Sequence, residues 1–246
     1  MPNFSQHPSP RRLKLLLQSE QGTGKTAQIA FLANAGFKVR VLDIDNKLEI
    51  IHAHLKPGAD VNIDYQSLPA KDPTSWEKLV KYLTESWPDL GNIRTWDENT
   101  VLVIDTASFA SEACLEYAKK KAGSGTKTSK FEQSIWQDMA EFFETLTAYV
   151  TSDIGKFHII YNTHIMEQEQ PNGIVMKLPA FKGRVLPKKM RSYFNCIWTI
   201  EVKSNGERVI KTASSHVMSL NNVAPGIIKP EEPADLGMIL SKFLKG

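Results

Sequence analysis

The chain alternates unbroken apolar runs of strand length with stretches of helical spacing. Residues 13–18 form one such run, followed by a glycine-rich turn and a helix over about 24–35 that Gly36 ends. A second strand is predicted at 38–44. Thr74 and Glu77 make a capping-box pattern that opens a helix carrying Leu79 and Leu83 on one face. Residues 101–105, Val-Leu-Val-Ile-Asp, read as a central strand covered on both sides and closed by a carboxylate. A short helix follows at about 111–121, then a flexible basic loop. Ser129 and Glu132 repeat the capping-box pattern, and the helix behind them sets Ile135, Met139, Phe142, Leu146 and Tyr149 at steps of four and three.

Residues 157–161 predict another buried strand, and 162–187 show no periodicity, which marks a long functional or disordered loop. Segments 197–202 and 208–212 flank Ser204-Asn205-Gly206, a hairpin turn signal. A helix over about 233–243 closes the pattern. Strands alternating with helices predict an α/β fold, a mostly parallel sheet flanked by helices with a C-terminal β-hairpin. Residues 1–12, with three prolines, read as a flexible tail, and 13–246 as a single domain with no internal repeat.

Composition narrows the function classes only slightly. The chain has 246 residues, 41% of them hydrophobic and 23% charged, as in an ordinary globular protein. No run approaches the roughly 18 apolar residues of a membrane helix, and no signal-peptide core opens the chain, so a cytoplasmic protein without membrane association is expected. Cys114 and Cys196 lie far apart without metal-ligand spacing and read as reduced, buried thiols. Thirty basic against 27 acidic residues give a net charge of +3, too small to argue nucleic-acid binding by itself.

The strongest chemical signal lies between the first strand and the first helix. Ser19-Glu20-Gln21-Gly22-Thr23-Gly24-Lys25-Thr26 has the composition of a phosphate-binding loop, whose inward N–H groups and helix N-terminus hold an anion. Residues Glu20 to Ala27, which include Gln21, Gly22, Thr23 and Gly24, are the expected nucleotide contacts. Lys25 would reach the β- and γ-phosphates, and Thr26 would hold Mg²⁺. Ser19 stands where the pattern has its first glycine. Asp105 ends the strand expected beside this loop, where a carboxylate orders Mg²⁺ through its water shell.

Asp43 and Asp45 close the second strand, and alternation puts both on one side, Asp45 nearer the carboxyl edge. Asp45 has two readings, polarising an attacking water or serving as a solvated turn acid. At the end of the later strand, Asn162, Thr163 and His164 offer polar groups to a γ-phosphate, His164 foremost; an ordinary satisfied histidine is the other reading. Lys119, Lys120, Lys121, Lys127 and Lys130 crowd one acid-free segment. Lys182, Arg184, Lys188, Lys189 and Arg191 crowd another, interleaved with Phe181, Tyr193 and Phe194. Such runs either track a phosphate backbone with aromatics stacking on bases, or are solvated faces with aromatics in the core.

The segments 19–26, 43–48, 101–108 and 161–165, taken in order, resemble the four ATP-site segments of the RecA/UvsX recombinase core. The similarity is strongest to short phage RecA-core ATPases of the Sak-type single-strand annealing kind, and it runs from about residue 13 to the end. It implies a RecA-like P-loop core that binds ATP and Mg²⁺, with Asp45 at the catalytic glutamate's position and His164 at that of the glutamine coupling the γ-phosphate to DNA. Segments 119–130 and 168–189 match the two DNA-binding loops. The resemblance further implies a DNA-dependent, slow ATPase that binds single-stranded DNA and anneals or pairs strands in the host cytoplasm. Its partners would be further copies in a filament or ring, and a single-strand-binding protein; Phe4 would be a docking anchor. Two other classes fit the P-loop: a nucleoside-type small-molecule kinase with 162–187 as its lid, and a non-catalytic ATP-binding replication accessory factor.

Overall fold

A computed structural model describes residues 12–123, 129–169, 173, 175–213, 220–221 and 226–245. In chain order the elements are β1 (Lys14–Ser19), α1 (Ala27–Asn34), β2 (Lys38–Asp43), β3 (Ile63–Ser67), α2 (Ser75–Thr84), β4 (Thr100–Asp105), α3 (Ala107–Ala122), α4 (Ser129–Thr151), β5 (His158–Glu169), β6 (Val175–Pro179), α5 (Leu186–Lys189), β7 (Cys196–Val202), β8 (Arg208–Lys211), β9 (Leu220–Asn221), β10 (Glu231–Pro233) and α6 (Leu236–Lys245).

One sheet gathers the ten strands, ordered β10-β8-β7-β1-β5-β4-β2-β3, with β6 paired to β5 and β9 to β7. The six strands from β7 to β3 pair in parallel, whereas β8, β10, β9 and β6 join antiparallel. This is the mostly parallel, helix-flanked sheet with a C-terminal hairpin that the sequence predicts. Alternation along the strands divides the core into two layers. Leu16, Leu102, Ile104, Ile159 and Tyr161 pack with Leu79, Cys114, Met139 and Phe143 of α2, α3 and α4. On the other face Leu15, Leu17, Val103, Ile160 and Trp198 pack with Ile29 of α1 and Ile239 and Phe243 of α6. Both cysteines are free and buried. Among the described residues no helix is long and apolar enough to cross a membrane.

Several expectations are corrected. Arg12 is not part of a tail: its guanidinium is buried and donates to the carbonyls of Val150, Ser152 and Phe157, closing the end of α4. Burial lowers its pKa to about 10. Residues 1–11, with Phe4, lie outside the described residues. Helix α1 starts at Ala27 because the turn occupies 20–26, and Gly36 takes φ +90° beyond its end. Thr74 precedes α2 but bonds Asp72 instead of capping. Helix α3 begins at Ala107, capped by Thr106, four residues earlier than its apolar spacing suggests. On α4 the buried stripe runs through Phe143 and Val150, with Phe142 and Tyr149 only half-buried beside it. The side chain of Ser129 lies outside the described residues.

The largest departure is in 162–187. Strand β5 continues through Glu169 and turns back as β6, and α5 follows, so most of the expected loop is a hairpin. Mostly polar side chains at 162–169 obscure this, since the strand leaves the core and its outer half mixes half-buried and exposed positions without alternation. Strand β4 does not neighbour β1; β5 lies between them.

Candidate active site

Continuing the inward alternation of the α1 layer to the carboxyl edge brings four polar residues to one face: Ser19, Asp43, Asp105 and Asn162. Asp43, Asp105 and Asn162 stand in register on β2, β4 and β5, and Ser19 on β1 pairs with His164. Open parallel sheets bind ligands outside this edge. Here it borders a cleft of about 530 Å³ lined by Gly24, Lys25, Thr26, Asp45, His164 and Arg208, among others.

The loop from Ser19 to Thr26 is shaped by its own side chains. Gly22 and Gly24 adopt φ +79° and +105°, which a side chain would strain. Thr23 donates to the Ser19 hydroxyl and to the Glu20 carbonyl, so it holds the loop while Gln21, Gly22, Gly24, Lys25, Thr26 and Ala27 line the cleft. Lys25 is buried, and its Nζ donates to Ser19 O (3.0 Å), Ser19 Oγ (2.9 Å) and Glu20 O (2.9 Å). Burial pushes its pKa down to about 8, against the pull of Asp105, Glu20 and Asp45. Serine in the usual glycine position therefore supplies a hydroxyl that holds the lysine.

Asp105 is fully buried. Burial raises its pKa, and hydrogen bonds from Asn162 and Thr26 counter that rise. Although β5 intervenes between the strands, Asp105 thus meets the phosphate loop through Thr26. A buried carboxylate beside a hydroxyl is a hard-oxygen set suited to Mg²⁺, which binds through one or two carboxylates plus phosphate oxygens. Asn162 Oδ1, buried beside this pair, has no hydrogen-bond partner among the described residues. No group of three or more His, Cys, Asp or Glu side chains suited to a metal occurs among the described residues, so a cation here would depend on the nucleotide for further ligands.

Asp43 and Asp45 do not share a side. The strand ends at Asp43, and Asn46 takes φ +57°. Asp45 turns into the cleft and pairs with Lys47 at 3.1 Å, whereas Asp43 faces a separate cavity. His164 lines the cleft half-buried, its ring edge-on to Phe109 at 5.9 Å, and burial lowers its pKa. Its N–H donates to Ser108 Oγ and its carbonyl accepts from Ala180. Thr163 points to the opposite face and is buried.

Arg208 is the residue that sequence reading missed. From β8 it lies across the loop, its Cδ 3.5 Å from where a Cβ on Gly24 would sit. Nothing in the local sequence marks it, because only the β7–β8 pairing brings it there.

The basic segments are less free than their composition suggests. Lys119 pairs with Glu116, Lys120 with Glu77, Lys182 with Glu112 and Lys189 with Glu144. Lys121 lies over the Phe142 ring, Arg191 is half-buried, and Lys130 is exposed at the start of α4. Lys127 lies outside the described residues. Arg184 and Lys188 are exposed. Phe181 and Phe194 are core residues, and Tyr193 is half-buried and donates to Glu144.

No curated protein matches the sequence. Among solved structures the chain is similar to an ATP synthase subunit, NeqB, from Nanoarcheaum equitans, with a TM-score of 0.47 and 13% identity over 85% of this chain and 52% of that one. The chain thus spans about half the length of that subunit. The family model of the AAA domain matches residues 11–219. That match covers most of the chain, and with a phosphate loop, Asp45 and a strand-borne histidine opening onto one cleft, the chain belongs to the AAA domain family, whose nucleotide-binding fold it carries.

Proposed function

We propose that the chain binds ATP with Mg²⁺, hydrolyses it, and couples that cycle to single-stranded DNA, promoting annealing or strand pairing. The observation that carries the catalytic part is that Asp45, from the turn after β2, and His164, from β5, open onto the same cleft as Lys25 and Thr26. Lys25 would leave the Ser19 and Glu20 oxygens for the β- and γ-phosphates. Thr26 and Asp105 would hold Mg²⁺, which neutralises charge on the phosphate oxygens when bound. Asp45 would accept a proton from water as its oxygen attacks the γ-phosphorus and the bond to the bridging oxygen breaks, releasing ADP.

The coupling reading rests on chain connectivity. His164 belongs to the same strand as the β5–β6 hairpin, and its carbonyl holds Ala180, two residues before Lys182. A shift of His164 toward a γ-phosphate would therefore move the start of the basic segment 182–191 directly. Arg184 and Lys188 are its exposed cations without an ion pair among the described residues. Assembly of copies into a filament or ring, and cooperation with a single-strand-binding protein, belong to the same proposal. In the kinase alternative the lid would be built from the β5–β6 hairpin and α5, which make up most of 162–187.

ATP turnover with and without single-stranded DNA tests this reading. Mg²⁺-dependent phosphate release, stimulated by DNA and reduced at least tenfold in Asp45→Asn, is expected. Phosphate transfer to a nucleoside without DNA stimulation would replace it with the kinase.

A further inference from the structure

A second cavity, of about 480 Å³, lies on the far side of the turn after β2. That volume is in the range of small-ligand pockets. The turn is a shared wall: Asp45 and Lys47 face the nucleotide cleft, while Asp43 and Asn46 face this cavity. The same turn is tied to β4, because Ile44 and Asp45 both donate backbone N–H groups to the Asp105 carbonyl.

The lining is rich in acids. Asp43, Glu49 and Asp60 contribute carboxylates, no lysine or arginine lines the cavity, and His52 is its single basic side chain among the described residues. Asp43 is only 4% exposed, accepts N–H bonds from the turn, and has no ion-pair partner among the described residues. Its charged neighbours Asp105 and Asp45 are themselves acids. A buried carboxylate without a counter-cation is costly, and here it opens onto a cavity that could admit one. Beyond the charge, Leu48, Ile51 and Ile63 give apolar walls, and Tyr65 is 58% exposed beside them. Apolar walls suit an aliphatic stem, and an exposed aromatic ring suits a cation. A bare metal ion fits poorly: no group of three or more metal-ligating side chains occurs among the described residues.

We propose that this cavity is a binding site for an organic cation, a guanidinium or primary ammonium carried on an aliphatic stem. Such a group comes either from a small amine or from an arginine or lysine of a second copy of this chain.

The test titrates agmatine into the full-length protein by calorimetry at low salt, with MgCl₂ as a separate titrant. Saturable agmatine binding is expected, weakened at least tenfold in the Glu49→Gln/Asp60→Asn double variant. Both side chains are exposed and outside the nucleotide cleft, and an unchanged circular dichroism spectrum and unchanged affinity for an ATP analogue would verify the fold. A second variant, Tyr65→Ala, is expected to weaken binding three- to tenfold. Sedimentation velocity identifies the source. Dissociation of assemblies by agmatine, with the same variants failing to assemble, assigns the cation to a second copy; binding without a change in mass assigns it to a free amine. Absence of saturable binding, equal binding by wild type and both variants, or MgCl₂ binding with the same variant sensitivity overturns the proposal.

Discussion

Asn162 donates its side-chain amide to the Asp105 carboxylate at 3.0 Å, across adjacent parallel strands and out of contact with solvent. The carboxylate also accepts a hydrogen bond from Thr26, so two donors from different elements hold it. The Asn162 bond opposes the burial that drives Asp105 toward its neutral form. Replacing Asn162 by leucine removes the donor while filling the space. Mg²⁺ titration of turnover in this variant is expected to show at least a tenfold higher Mg²⁺ requirement. An unchanged requirement would mean that the amide does not position the carboxylate.

Ser19 restrains Lys25. A nucleotide must draw the ammonium away from Ser19 Oγ, Ser19 O and Glu20 O. One hydrogen bond is worth about 0.5–1.5 kcal/mol net, so Ser19→Ala is expected to tighten binding of an ATP analogue roughly two- to tenfold. Calorimetry reads this directly. Weaker binding would show that the hydroxyl serves the bound state instead.

His158 makes stability depend on pH. Its Nδ1 accepts from the Leu13 N–H, its Nε2 donates to the Glu98 carbonyl, and burial lowers its pKa to about 4. A folded-state pKa below the unfolded value, about 6.5, means that the stabilisation is complete above pH 6.5 and is lost as pH falls toward 4. Linkage gives a loss of about 2 kcal/mol between pH 7 and 5 from this group. Urea denaturation at both pH values, in wild type and His158→Gln, checks it. The variant, though less stable overall, is expected to lose less over that interval.

Helix α6 sits on α1 through a glycine. A Cβ at Gly237 would lie 2.1 Å from the Phe31 carbonyl oxygen and 2.8 Å from the Ala35 Cβ, so backbone must shift to admit it. Gly237→Ala is expected to cost about 1–3 kcal/mol, the usual penalty for overpacking. A urea midpoint equal to wild type would contradict the tight approach.

The parts of this molecule legible in the sequence are those set by short-range pattern. The glycines and lysine of the phosphate loop, the apolar run ending in Asp105 and the turn at Ser204-Asn205-Gly206 each declare themselves within a few residues. What stayed hidden depends on where the chain goes afterwards. The outer half of β5 mixes half-buried and exposed positions, so no alternation marks it as strand. Strands β3, β6, β9 and β10 are short or lie off the parallel core, and β3 carries alternation too weak to stand out. Asp43 and Asp45 part because strand β2 ends at Asp43, so strand alternation no longer sets the direction of Asp45. Arg208 reaches the loop only because β8 pairs with β7. The ion pairs of the lysine runs were hidden for the same reason, since the acid partners Glu77, Glu112 and Glu144 lie far off in sequence.

In the proposed cycle, the nucleotide in the cleft of Lys25 and His164 sets the affinity of segment 182–191 for DNA. Fluorescence anisotropy of a labelled single-stranded oligonucleotide at fixed salt, with Mg²⁺ and a non-hydrolysable ATP analogue, with ADP, or without nucleotide, measures it most directly. The account predicts at least tenfold tighter binding with the analogue, lost in both Lys25→Ala and Lys188→Ala/Arg184→Ala. Equal affinity in all three nucleotide states, or no DNA binding in any of them, would contradict it.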